Sequence, residues 1–124
     1  MKTKASSTEE NYLKALFSLA NEANEISVSD LSQALNVSNP TANSMVKRLS
    51  EKEWVEYKKY RPIRITEKGM KLAASIIRKH RLTEMYLVEK MGFGWEEVHE
   101  IAEQIEHIHS PAFFNRMDEA LGSP

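Results

Sequence analysis

The run N-V-S-N-P-T-A-N-S-M-V-K-R-L, from Asn36 to Leu49, decides how this 124-residue chain folds. Pro40 stands where the first helical residue belongs, because the N–H that proline lacks would have no intrahelical partner there. Ser38 or Asn39, just before it, offers a side-chain oxygen to the free N–H groups of the first turn and caps the helix. Ala42, Met45, Val46 and Leu49 then recur at helical spacing and turn inward, which leaves a polar outer side. Upstream, Ser27 or Ser29 caps a short helix holding Leu31, Ala34 and Leu35. Two short helices joined by a turn of about four residues, the second capped and polar outside, predict a helix-turn-helix.

Outward from that motif, residues 1–7 read as a frayed arm, and Ser7 or Thr8 followed by Glu9 and Glu10 opens a first helix. Its Tyr12, Leu13, Leu16, Phe17, Leu19 and Ala20 read mostly as core, and a polar loop from Asn21 leads to Ile26. On the other side, Trp54, Val55 and Tyr57, then Lys58-Lys59-Tyr60-Arg61-Pro62, then Ile63, Ile65 and Thr66 predict an antiparallel hairpin with a basic tip, a wing. The net charge of -1 conceals an asymmetry: residues 45–72 carry 9 basic and 4 acidic side chains, while both flanks are acidic. Lys47 and Arg48 on the helix and Lys58, Lys59, Arg61 and Arg64 on the wing are therefore candidates for phosphate contact on a duplex. A basic hairpin tip alone is ordinary solvated surface. Its coincidence with a helix-turn-helix favours DNA.

From Thr66, an N-cap, a long helix runs through Met70, Leu72, Ala73, Ile76, Ile77, Leu82, Met85, Tyr86 and Leu87 to Met91-Gly92. A further helix carries Val98, Ile101 and Ile105, and a last one, opened by Ser110-Pro111, carries Phe113, Phe114, Met117 and Leu121. This is more apolar surface than three helices and a hairpin can cover, and it predicts a dimerisation region. The expected fold is mostly α with a small β wing: a winged helix-turn-helix DNA-binding domain over residues 1–71, then a helical metal-binding and dimerisation domain over 72–124. A homodimer sets its two reading helices about one DNA turn apart and calls for a palindromic operator.

In H-E-I-A-E-Q-I-E-H, residues 99–107, the side chains of His99, Glu103, Glu106 and His107 fall on one arc of a helix beside a stripe of Val98, Ile101, Ala102, Ile105 and Ile108. Imidazole with carboxylate and no thiolate suits a borderline to hard divalent cation, given a further element to complete the shell. The same pattern also fits a solvated helix face, and spacing leaves both open. His109 lies on the apolar stripe and reads as a packed or boundary residue; Trp54 and Trp95 read as packing anchors, and Met45, Met70, Met85 and Met117 as core. The absence of cysteine excludes disulfides and thiolate sites and fits a reducing compartment. With no signal peptide and no membrane-length apolar run, a cytoplasmic protein without membrane contact is expected.

The order of these pieces resembles the iron- and manganese-dependent repressors of the diphtheria toxin repressor family over nearly the whole chain. The stretches that carry it are T-E-E-N-Y-L, N-V-S-N-P-T-A-N-S-M-V-K-R-L, Y-R-P-I-R-I-T-E-K-G, R-K-H-R-L-T-E-M-Y-L and W-E-E-V-H-E-I-A-E-Q-I-E-H. The resemblance implies a repressor, not an enzyme, whose metal ties the first helix to the dimerisation helices and switches on operator binding. It implies one metal site at Glu103, Glu106 and His107 with Asn11, where relatives have aspartate or methionine, and a second at His80, Glu84 and His99. Glu103 stands where the iron-responsive branch has cysteine, which places the chain nearer the manganese branch. Mn(II) or Fe(II) is the implied cofactor, with Zn(II) and Co(II) open.

Lys14 falls where that branch can have a glutamate ligand, so pairing with Glu103 or Glu106 could partly replace a cation. For DNA, the resemblance implies Ser38, Pro40, Thr41 and Ser44 as contacts, with Asn39 and Asn43 beside them. The ending A-L-G-S-P corresponds to the point where longer relatives continue into an SH3-like domain that lends ligands to the second site. Two other classes stand beside this reading. One is a winged-helix regulator indifferent to metal. The other is a small metallohydrolase, disfavoured because Glu103 stands where the second histidine of H-E-x-x-H would be.

Overall fold

The computed structural model describes residues 5–123. In chain order they form α1 (Ser7–Leu19), β1 (Glu25–Ile26), α2 (Val28–Leu35), α3 (Asn39–Glu51), β2 (Val55–Glu56), β3 (Ile63–Ile65), α4 (Glu67–Met91), α5 (Trp95–Ile105) and α6 (Pro111–Ala120). The fold is mostly α with a small β wing, and the chain divides into two units between Ala74 and Ser75, within α4.

In the first unit α1 starts earlier than the sequence suggests. Ser6, not Ser7 or Thr8, is its N-cap: Ser6 Oγ accepts from the Glu9 N–H at 3.1 Å, and Glu9 Oε1 accepts from the Ser6 N–H at 2.9 Å. This reciprocal box satisfies two donors that a helix start leaves free. The expected arm is correspondingly shorter, since Ala5 is already buried; its part over residues 1–4 lies outside the described residues. Ser27 and Ser38 cap α2 and α3, each accepting from the N–H three residues on, at 3.0 and 3.2 Å. Leu13, Leu16, Leu31, Val46, Leu49 and Ile63 are fully buried in one cluster, whereas Phe17 and Leu19, read as core, are exposed.

The sheet has three strands, not the two of a simple hairpin, in the order β1-β3-β2. Ile26 pairs with Ile63 and Glu25 with Arg64 on one edge of β3, and Val55 with Ile65 and Glu56 with Arg64 on the other, all antiparallel. A two-residue strand has no alternation to read. It exists because β3 offers a second row of backbone groups and Ile26 reaches the core beside it. Thr66 Oγ1 accepts from the Gly69 N–H at 3.0 Å and donates to the Glu53 carbonyl at 2.7 Å, which fixes the entry into α4. A Cβ on Gly69 would stand 2.1 Å from the Trp54 carbonyl oxygen, so only glycine permits this close approach.

In the second unit α4 ends where Gly92 takes a φ of +75°, and Ser110 caps α6 by accepting from the Phe113 N–H at 3.2 Å. Leu82, Phe114 and Met117 form its buried cluster, with Tyr86, Ile105 and Leu121 packed against it. Three expectations are corrected here. α5 stops at Ile105, with Glu106 as its C-cap still in a helical conformation, so His107 of the expected arc lies beyond the helix. Past that stop the apolar stripe breaks: Ile108 is 40% exposed, and His109 is exposed instead of packed. Trp95, at the first position of α5, is 65% exposed and anchors nothing, whereas Trp54 is buried with Lys52 Nζ 5.2 Å from its ring. Among the described residues no helix is long and apolar enough to cross a membrane.

Glu9 and Glu10 are both buried in the first unit, Glu9 at 1% exposure. Burial pushes the Glu9 carboxyl pKa upward. The Lys52 ammonium at 2.8 and 2.9 Å, the Ser6 N–H and the Arg48 guanidinium at 3.6 Å outweigh that and hold it below the usual carboxylate value. Glu9→Gln is therefore expected to lower stability near neutral pH by about 1.5–3 kcal/mol, the range for a hydrogen bond to a charged group. A depressed folded pKa contributes stability that is complete above the unfolded value and lost as pH falls through the folded one. Thermal melts of both proteins should therefore converge as the solution is acidified through the carboxylate range. A gap that stays constant would place the effect elsewhere.

Candidate functional site

Three potential ligand atoms converge in the second unit. His80 and Glu84, one turn apart on α4, present Nε2 and Oε2 at 3.3 Å from each other. His99 on α5 brings Nδ1 to 3.1 Å from His80 Nε2 and 3.6 Å from Glu84 Oε2. Adjacent donors around an ion with bonds of about 2.0–2.2 Å lie roughly 2.9–3.6 Å apart, from octahedral to tetrahedral geometry. The triangle fits that spacing.

The remaining imidazole nitrogens explain why these atoms face one another. His80 Nδ1 lies 2.5 Å from Oε1 of Glu106, a carboxylate with no exposed surface, and His99 Nε2 lies 2.7 Å from Oε1 of Glu103, one turn further along α5. Carboxylates accept, so each neutral ring places its proton on the nitrogen facing its carboxylate. Its lone pair then points toward the other ring and Glu84. With the rings in that form, two lone pairs and a carboxylate oxygen face a common point that a cation can occupy. His80 is nearly buried while the side chains of His99 and Glu103 are 67% and 52% exposed, so the triangle opens to solvent on one side.

Of the other ligand candidates, His107 has Nε2 3.4 Å from Glu106 Oε2, so Glu106 stands between two imidazoles. Asn11 is exposed on α1, in the first unit. Among the described residues, His80, Glu84 and His99 are the group of three or more potential ligands that converge closely enough to share an ion. The part of Glu103 follows from its i, i+4 spacing to His99 on α5, whereas that of Glu106 depends on α4 lying alongside and is not visible in spacing.

The nucleic-acid candidates lie in the first unit. Ser38, Asn39, Pro40, Thr41, Ser44, Lys47 and Arg48 are exposed along the start and outer side of α3. Ser38 Oγ, besides capping, donates to Thr41 Oγ1 at 2.8 Å, and Asn39 Oδ1 accepts from Ser32 Oγ at 2.5 Å, tying α3 to α2. Asn43 is half-buried and accepts from the Tyr57 hydroxyl at 2.6 Å, which joins the reading helix to the base of the wing. Arg48 is shared with Glu9, and Arg64 lies 3.4 Å from Glu56, so both enter ion pairs within the unit. Lys58, Lys59 and Arg61 are exposed at the wing tip around Tyr60, which is 91% exposed and was not singled out from the sequence.

The family model of the iron dependent repressor N-terminal DNA binding domain matches residues 4–63, and that of the iron dependent repressor metal binding and dimerisation domain matches residues 66–124. The Iron-dependent repressor IdeR of Mycobacterium tuberculosis is 34% identical over 117 residues, which are 94% of this chain and 51% of that protein. The chain thus spans about half the length of this relative. The HTH-type transcriptional regulator MntR of Geobacillus thermodenitrificans is 33% identical over 98 residues, 79% of this chain and 69% of that protein. Among solved structures, ScaR with bound Cd2+ superposes with a TM-score of 0.81 at 37% identity, covering 94% of this chain and 54% of that one. Matched by both domain models in their order along the chain, and by a relative of which it covers more than two thirds, the chain belongs to the iron-dependent repressor family.

Proposed function

We propose that this chain is a divalent-metal-responsive transcriptional repressor that binds operator DNA as a homodimer, with its DNA-binding domain over residues 1–71 and its metal-binding and dimerisation domain over 72–124. The observation that carries this reading is the convergence of His80 Nε2, Glu84 Oε2 and His99 Nδ1, oriented from behind by Glu106 and Glu103. A bound ion would supply the positive charge that lets these three donors stay together and so cross-link α4 to α5. Nitrogen and carboxylate donors suit Mn(II) or Fe(II), and also Zn(II) or Co(II). Relatives and neighbours described as iron-dependent, manganese-dependent or crystallised with Mn, Zn or Cd support the same class of ion. The approach of His107 Nε2 to Glu106 Oε2 supports a second ion at Glu103, Glu106 and His107.

On the DNA side, Ser38, Pro40, Thr41 and Ser44 would meet base edges in a major groove, with Asn39 and Asn43 holding α3 in place. Lys47, Lys58, Lys59 and Arg61 would meet phosphates, with Arg48 and Arg64 partly committed to their carboxylates. The exposed apolar residues Phe113, Ile108, Met91 and Trp95 of the second unit support a surface that a second copy covers, and two copies require a palindromic site. Such a regulator works beside the chromosome in the cytoplasm and is not an enzyme.

Two measurements test this. Duplexes selected from a random library by the full chain, in parallel with Mn(II) and with chelator, should yield a palindrome only in the Mn(II) arm. A tenfold metal effect on affinity corresponds to about 1.4 kcal/mol of coupling. The same palindrome in both arms would instead identify a regulator indifferent to metal. Separately, Glu106→Gln should weaken Mn(II) binding in calorimetry about 10–100-fold, the usual effect of removing a carboxylate behind a ligating histidine. Unchanged affinity would refute the orienting role of Glu106.

A further inference from the structure

The tip of the wing holds a side chain that the fold does not use. The Lys58 carbonyl accepts from the Arg61 N–H at 3.0 Å, closing a four-residue turn with Lys59 and Tyr60 at its centre. Tyr60 has a φ of +65°, a left-handed conformation that glycine or asparagine adopts with less steric cost than an aromatic residue. Of the four other described non-glycine residues with positive φ, Asn24 and Asn36 are of that tolerant type and Glu53 and Ser123 are not, and Tyr60 is the aromatic one among the five. Little in the packing offsets the choice, because the side chain is 91% exposed, with Lys59 Nζ 5.1 Å from the ring centroid. The ring is projected outward at a turn whose backbone would be better served without it.

Its surroundings identify what it meets. Lys58, Lys59 and Arg61 flank it and no acidic residue lies between Glu56 and Glu67, so the tip is complementary to a polyanion. The wing is also joined to the reading helix by the 2.6 Å hydrogen bond from Tyr57 to Asn43, so the tip and α3 are presented by one unit. We propose that Tyr60 is a groove-reading residue, an inference that rests on the DNA-binding function proposed above. Its ring enters the minor groove beside the base pairs met by α3, while Lys58, Lys59 and Arg61 hold the phosphates on either rim. A minor groove about 6 Å wide admits an aromatic ring edge-on, against deoxyribose and base edges, and apolar wedges in that groove favour steps that open easily. Tyr60 therefore adds a preference for deformable pyrimidine–purine steps outside the footprint of α3.

The test repeats the duplex selection in Mn(II) with the full-length wild type, Tyr60→Phe and Tyr60→Gly. Glycine suits the turn, so Y60G should melt no lower than wild type, which separates a lost contact from a lost fold. It should nevertheless bind the wild-type duplex about tenfold more weakly, the scale of one lost base-pair contact, and lose sequence preference at the flanking steps while keeping it at the centre. Y60F should stay within about twofold of wild type, since the ring is the reading element. Y60G binding as tightly as wild type with unchanged flanks overturns the proposal, and so does Y60F losing as much as Y60G, which would assign the contact to the hydroxyl. A wild type that selects no duplex removes the DNA-binding reading itself, an outcome distinct from either of these.

Discussion

A carboxylate with no exposed surface must be partnered, since leaving it bare in an apolar setting would cost several kcal/mol or force it to take up a proton. Glu106 meets that requirement through His80 Nδ1, and the organisation of the second unit follows. Placing the His80 proton on Nδ1 leaves the lone pair of Nε2 facing Glu84 and His99. Glu103 repeats the device for His99 from the solvent side. The convergence of three donors is thus the outcome of two hydrogen bonds made on the far sides of the rings.

The first unit also contains a buried carboxylate, and its fate is different. Glu9 is surrounded by the Ser6 N–H, Lys52 and Arg48, which satisfy it with cations of the chain itself. It ties the start of α1 to the end of α3 and keeps the reading helix in its place. The contrast separates structural from functional use of charge. Glu9 meets ammonium and guanidinium groups, whereas Glu106 and Glu103 meet imidazole rings.

The wing is held at its base and open at its tip. Three strands and the Tyr57–Asn43 hydrogen bond fix the base against the helix-turn-helix, while Lys58, Lys59, Tyr60 and Arg61 extend beyond the last paired residues. A rigid base gives the tip a defined direction, which a charged loop on a flexible tether would lack. Shape as well as charge can then be read by the same hairpin.

Local chemistry made much of this legible from sequence. Capping serines, the N1 proline Pro40, the stop at Gly92 and the recurrence of Ala42, Met45, Val46 and Leu49 are rules that act over a few residues, so the helix-turn-helix, the long helix and the capped last helix could be read directly. The family resemblance added the grouping of His80, Glu84 and His99. Tertiary structure decided the rest. β1 is a strand only because β3 lies beside it. Glu106, which helical periodicity placed on a polar arc with His99 and His107, has no exposed surface and meets His80 of α4. Trp95 is exposed despite its apolar character, and Tyr60 adopts a backbone conformation that its side chain disfavours. The strand β1 and the burial of Glu106 depend on what a distant segment places next to them. Sequence alone therefore determined which helices form; only the packed fold determined which carboxylates meet an imidazole and which meet a cation of the chain, because all of them present similar side chains at similar spacings.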